Sequence, residues 1–242
     1  MQFHNIDGVK IPFDQEWSNV AISVSGGADS ALLSHLVCSL ASKNSTVHII
    51  SHIRVWKTKP WQQYDSLNVY NYLVQKFPSL NFKRHVNFIS PELEYGSVGP
   101  TLIDEYGKLV SGDNIEKRAF AEYVCFHENC DAHYNGVTRN PRLENFNGMV
   151  ERDIELVDNN KHLEYMIHMG KVASHPFRFV DKKWVVSQYK TLGIMDLFNI
   201  TRSCEGQFEG IDYTTYTPGQ YVPTCGECFW CKEREWAIEQ SK

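Results

Sequence analysis

The sequence predicts a doubly wound α/β domain with a mainly parallel sheet, followed by a cysteine-rich, metal-binding C-terminal region. Three observations carry this. Short apolar runs alternate with stretches of helical spacing between residues 19 and 137. The first strand-to-helix junction is a Gly-Gly turn flanked by serines, Ser25-Gly26-Gly27-Ala28-Asp29-Ser30. Finally, Cys204, Cys225, Cys228 and Cys231 crowd the C-terminal end.

The elements follow in order. Residues 19–24 form an apolar run that stops at the glycines, as a buried strand entering a turn does. Residues 31–43 place Leu32, Leu33, Leu36, Val37 and Leu40 on one helical stripe. Residues 46–53 are β-branched and apolar, a second strand. Residues 63–77 read as a helix and 82–89 as a third strand. This β-α-β-α-β order implies parallel strands with helices on the faces of the sheet. Residues 93–111 are punctuated by Gly and Pro and read as a loop. A helix is expected over 114–128 and a fourth strand over 131–137. Residues 140–148 read as irregular, 151–169 as a helix with a poor apolar stripe, and 185–192 as a short helix. From Thr201 onward Gly, Pro, Thr, Tyr and Cys dominate. The expected organisation is one domain over 1–200 and a metal-stapled region over 201–242 packed on it.

Composition bounds the function. The 242 residues are 42% hydrophobic and 22% charged, as in an ordinary globular domain. No run reaches the ~20 apolar residues of a membrane span. Residues 1–17 carry acids and no apolar stretch, so no secretory signal is read there and a cytoplasmic location is expected. The net charge of -5 argues against a bulk nucleic-acid binder. Seven cysteines are too few for a disulfide framework in a chain this long, and their clustering points to metal.

The Ser25–Ser30 loop has the make-up of an anion cradle. Its glycines let backbone approach a ligand. The helix after it offers free N–H groups and a positive dipole end, and Ser25 and Ser30 add hydroxyls. The Lys of a Walker A loop is missing, so the loop suits pyrophosphate better than γ-phosphate transfer. Asp29 either serves that site or closes the loop by accepting backbone bonds. In the tail, Cys225-Gly226-Glu227-Cys228-Phe229-Trp230-Cys231 with Cys204 upstream supplies four thiolates, enough for a closed tetrahedral zinc site. The same spacing also occurs around iron–sulfur clusters. Cys38, Cys125 and Cys130 fall in expected core elements and read as packing residues.

The pattern Ser-Gly-Gly-x-Asp-Ser resembles the PP-loop of the adenine-nucleotide α-hydrolase group. That resemblance implies ATP cleavage between the α and β phosphates and transfer of AMP to a substrate oxygen. It places Ser25, Gly26, Gly27, Ala28, Asp29 and Ser30 on the pyrophosphate of ATP, and adenine at residues 50–54, near His52. The order of motifs is similar to one family within the group, QueC, the 7-cyano-7-deazaguanine (preQ0) synthases. Its tail pattern of a remote Cys and C-G-x-C-x-x-C-x-x-R is matched here, ending at Arg234. Pro176, Asp181-Lys182 and the approach from Thr201 to Cys204 fall in step. The resemblance implies that Lys182 contacts phosphate and, with Asp29, serves catalysis, where composition alone reads a surface lysine. Gly112-Asp113-Asn114 stands where the family has Gly-Arg-Asn, which makes Asn114 a substrate-binding candidate. The family's acidic base-reading segment is replaced by Thr138-Arg139-Asn140-Pro141-Arg142. Arg139 and Arg142 can grip a carboxylate in bidentate fashion.

The activity so implied is an ATP-dependent ligase. It joins 7-carboxy-7-deazaguanine and ammonia into preQ0, releasing AMP and pyrophosphate, with ATP, Mg²⁺ and Zn²⁺ as cofactors and a homodimer as assembly. The altered segment keeps other readings open. These are attachment of a deazaguanine to a protein in antiviral defence, tRNA thiolation with an iron–sulfur cluster, and a non-catalytic ATP-binding module.

Overall fold

The computed structural model describes residues 1–54, 62–89, 102–103, 109–110, 112–139, 141, 165–168, 171–205 and 224–241. The chain opens on a hairpin that the sequence reading did not anticipate. Strands β1 (Gln2–Ile6) and β2 (Val9–Phe13) pair antiparallel around Asp7-Gly8. Both turn residues have positive φ, +47° and +85°, which matches the twist of a two-residue hairpin. Val9, Ile11 and Phe13 are buried.

The main sheet has six strands. The parallel ones are β3 (Asn19–Ser23), β4 (Thr46–Ile53), β5 (Asn81–Phe88), β8 (Ala132–Asn135) and β10 (Lys171–Ser174), and β9 (Tyr165–His168) runs antiparallel on the edge beside β10. Their spatial order is β5-β4-β3-β8-β10-β9. Strand order therefore reverses between β3 and β8, and a crevice opens there at the carboxyl ends of the strands.

Helices cover both faces, and the strands show why. Along β3 and β4, Val20, Ile22, Val47 and Ile49 enter the larger core, while Ala21 and Ile50 enter a smaller one. Alternate residues of a strand point to opposite faces, so both faces are apolar and both need cover. Helices α1 (Ala28–Leu40) and α2 (Gln62–Lys76) cover the first face. So do α4 (Lys182–Thr191), α5 (Met195–Asn199) and α6 (Phe229–Gln240). Helix α3 (Gly112–His127) covers the second with Ala121, Val124 and Cys125. Cys38 is buried in the larger core and Cys130 in the smaller. Among the described residues no helix is long and apolar enough to cross a membrane.

Two expectations need correction. Residues 165–168, expected as the end of a helix over 151–169, form β9, because their backbone groups pair with β10 instead. The rest of that stretch lies outside the described residues, as does 140–148 apart from Pro141. The expected loop over 93–111 contains a small hairpin, β6 (Leu102–Ile103) with β7 (Leu109–Val110).

Candidate active site and metal centre

A cleft of about 980 Å³ opens at the strand reversal. Ser25, Gly27, Asp29 and Ser30 line it, whereas Gly26 and Ala28 do not. The loop is held by its own hydroxyls. The Ser25 N–H donates to Ser30 Oγ (3.2 Å), Ser30 Oγ donates to the Gly27 carbonyl (3.1 Å), and the two hydroxyls stand 3.3 Å apart. Gly27 is the N-cap of α1 and brings no side-chain cap, so the first N–H groups of the helix keep their donor capacity. Gly26 has φ +85°, and a Cβ there would stand 2.6 Å from Asp65 Cβ and 2.8 Å from Ser66 N. Only glycine fits that contact with α2. Gly136 lets the end of β8 come equally close to α1: a Cβ there would stand 2.9 Å from both Ser30 Cα and Ser30 N. Ala28 contributes its carbonyl, which accepts from Tyr189 Oη (2.6 Å), and its side chain packs in the core.

Asp29 in the first turn of α1 forms an ion pair with Lys182, the first residue of α4. Thr138 Oγ1 also donates to Asp29 Oδ2 (3.3 Å). The local sequence places the lysine: Asp181 caps α4 by accepting from the Trp184 N–H (3.2 Å), which aims the next side chain inward. The Lys182 side chain is only 3% exposed and also lies 3.8 Å from Glu233 Oε2 on α6. It is thus a buried cation shared by two carboxylates.

The walls come from both sides of the sheet. His52 at the end of β4 packs edge-on against Phe120 at 5.9 Å. Burial, with help from Lys117, His133 and Arg54, pushes its pKa down to about 3, so its ring is neutral. Asn114 lines the cleft from α3. Arg139 is exposed and does not line it, although its N–H donates to the Val180 carbonyl (3.0 Å). Arg142 lies outside the described residues. The structure adds residues that the sequence reading missed. Asp65 lines the cleft beside Gly26, and burial raises its carboxyl to about 7 against the opposing pull of Arg202. His133 on β8 is 2.8 Å from Ser23 Oγ and is held near 4 by burial, with His175 adding to the effect. Nothing local in the sequence marked these side chains; the strand reversal brings them together.

The four tail cysteines converge. Cys204 Sγ stands 3.6 Å from Cys225 Sγ and 4.0 Å from Cys228 Sγ, and Cys225 Sγ is 3.9 Å from Cys231 Sγ. All four sulfurs lie within 4.8 Å of one another. Four thiolates on one tetrahedral ion at ~2.3 Å stand about 3.8 Å apart, so the set fits a single ion. A cube-shaped iron–sulfur cluster instead gives each thiolate its own iron and spreads them wider. Gly226 turns the knuckle with φ +72°, and the Cys228 N–H donates to Cys225 Sγ (3.2 Å). Arg234 anchors α6 by donating to Thr201 Oγ1 and the Phe198 carbonyl, both at 2.8 Å.

The cluster and the loop share one connecting segment. The Arg202 N–H donates to the Gly26 carbonyl (2.9 Å), Ser203 packs on Gly27, and Cys204 follows at once as a cluster member. Cys204 and Trp230 both line the cleft.

No protein-family model matches the sequence, and no curated protein sequence matches it. Among solved structures, the chain is similar to the U34-tRNA thiolase NcsA from Methanococcus maripaludis with its 4Fe–4S cluster. The TM-score is 0.43 at 15% identity, over 75% of this chain and 58% of that one. It is also similar to the NH3-dependent NAD synthetase from Campylobacter jejuni, with a TM-score of 0.43 at 16% identity, over 76% of this chain and 68% of that one. The chain thus spans less than two thirds of the thiolase.

Proposed function

We propose that the cleft binds ATP and that the chain is an ATP-dependent ligase of the PP-loop class, which adenylates a substrate oxygen and releases pyrophosphate. The observation that carries this is the Ser25–Ser30 loop. It sits between β3 and α1 at the strand reversal, with hydroxyls, backbone N–H groups and an uncapped helix N-terminus on one cleft. In this reading the pyrophosphate lies on Gly27 and Ser30. The Ser25 and Ser30 hydroxyls, now bonded to each other, turn to the phosphate oxygens. Lys182 holds Asp29 in place and adds positive potential under the loop. His52, neutral and half-buried, offers a ring nitrogen to the adenine edge. Asp29 and Asp65 are the carboxylates beside the loop that would hold Mg²⁺, which neutralises charge on the departing pyrophosphate. The four cysteines would hold Zn²⁺ as a closed structural site.

For the acceptor we propose the QueC-like reaction. A carboxylate on a deazaguanine is adenylated, ammonia displaces AMP to give an amide, and after a second adenylation, of the amide oxygen, loss of AMP with that oxygen and of both amide protons leaves the nitrile. Each adenylation forms an oxygen–phosphorus bond and breaks the bond between the α and β phosphates. Catalysis is then mainly positioning and charge stabilisation. The matched tail through Arg234 and the loop support this reading.

The test incubates the protein with ATP, Mg²⁺, an ammonium salt and 7-carboxy-7-deazaguanine and follows products by mass spectrometry. PreQ0 and AMP, both abolished by Ser25→Ala, are the expected result. AMP without amide or nitrile would retain adenylation and move the acceptor elsewhere. No AMP and no ATP binding would overturn the enzyme reading.

A further inference from the structure

On the face of the sheet under α3, far along that helix from the loop, three ligand-type side chains converge outside the cleft. His48 lies on β4 and His85 on the neighbouring β5, and Glu128 follows the last turn of α3. His48 Nδ1 and His85 Nε2 are 3.1 Å apart, and Glu128 Oε2 is 3.9 Å from His48 Nδ1. One nitrogen or oxygen from each residue lies within 4.8 Å of the others. None of the three lines the cleft.

We propose that His48, His85 and Glu128 form a second metal site, which takes one divalent transition cation of the Zn²⁺ type. Two imidazoles and a carboxylate are a donor set for such ions, and ligand nitrogens on a tetrahedral ion stand about 3.4 Å apart, close to the spacing here. Both rings are ready to bind. Burial holds His48 near 4 and His85 below its ordinary value, so neither must lose a proton at neutral pH. Binding through Nδ1 leaves the His48 proton on Nε2. That atom has no hydrogen-bond partner among the described residues in either tautomer, so the ion creates no new unpaired group. The carbonyl end of α3 also favours a cation at this place.

Without the ion, a lysine takes its role. Lys83 Nζ lies 2.6 Å from Glu128 Oε2, and its side chain is 55% exposed, so it can swing into solvent. Glu128 is then free to close on the histidines. An ion here would tie β4 and edge strand β5 to the helix that walls the cleft.

The experiment titrates Co²⁺ into the metal-free full-length protein. Cobalt at the cysteines gives intense thiolate charge-transfer absorption, whereas cobalt on nitrogen and oxygen gives only weak visible bands. The expected result is two equivalents, one with each signature, and a rise in Tm with the second. His85→Ala and Glu128→Gln, both at partly exposed positions, should weaken the second equivalent by at least about tenfold and leave the thiolate signal intact. Lys83→Met should tighten it by removing the competing cation. Absence of any second equivalent in wild type would overturn the proposal. So would a second equivalent that both variants leave unchanged.

Discussion

The two ends of the cleft are made of different material. At the Ser25–Ser30 loop the cleft is lined by two serines, Asp29 and Gly27 at the start of a helix, and close contacts at Gly26 and Gly136 fix the loop in place. At the cysteine cluster the groups are four side-chain thiols from separate stretches of chain, and one ion would satisfy all of them. Each end is therefore vulnerable in its own way. The loop fails when atoms are added, and the cluster fails when a ligand is taken away. Arg202 to Cys204 joins the two, so damage at one end can be read at the other.

The largest effect should come from the cluster. Structural zinc contributes on the order of 10 kcal/mol in small zinc-binding peptides. Losing even about 4 kcal/mol lowers the Tm of a domain this size by roughly 8–16 °C. Cys225→Ser, or a strong chelator on wild type, should therefore produce a large fall in Tm, measured by circular dichroism, together with loss of bound metal. An unchanged Tm after chelation would remove the metal from the account of this end.

Next comes the cluster of Asp29, Lys182 and Glu233 that links α1, α4 and α6. Lys182→Met removes the buried cation that pairs with Asp29 and lies beside Glu233. Breaking a buried pair in this way costs about 3–5 kcal/mol. Urea unfolding should show the loss, and the double variant Lys182→Met with Glu233→Gln should recover part of it. No recovery would mean that the lysine acts through packing alone.

Gly26→Ala sharpens the contrast at the other end. A left-handed φ combined with a Cβ 2.6 Å from Asp65 should cost about 1–3 kcal/mol and push the loop off α2. The expected outcome is loss of ATP binding by calorimetry with the metal content unchanged. Loss of metal as well would show that the joining segment transmits the strain.

What the sequence revealed divides along the same line. The loop was legible as a strand-to-helix turn, because two glycines stand between an apolar run and a leucine stripe. The convergence of the cysteines was legible because three of them stand two residues apart. Strands such as β4 could be placed from composition, since a strand buried on both faces is apolar throughout. Strands β9 and β10 were not, because the pairing that makes them is tertiary: β10 joins the sheet beside β8, and β9 pairs with β10. The β1–β2 hairpin carried a usable signal in Asp7-Gly8, flanked by Ile6 and Val9, that the reading passed over. Asp65 and His133 are polar side chains in ordinary surroundings until the fold buries them.

Asp65 and His133, together with His52, carry the smallest expected effect. His133 is held near 4 and His52 near 3, below the ordinary 6.5. The unfolded chain takes up protons at these rings that the folded chain refuses. Stability is therefore lost as pH falls from about 6.5 toward 4. Asp65 works in the opposite sense, because its carboxyl is raised from 3.8 to about 7. The folded chain keeps a proton there that the unfolded chain releases, so its contribution is present below about 3.8 and is lost as pH rises toward 7. The two slopes oppose each other over most of this window, but the histidines outweigh the single carboxyl, because His35 and His48 are also held near 4, so the wild-type Tm should rise with pH. Asp65→Asn removes only the descending slope. Its Tm should climb more steeply with pH across the window and exceed that of wild type above about pH 7. A variant less stable than wild type at high pH would mean that the Asp65 carboxylate is stabilised by a cation beside the loop, which burial alone does not predict.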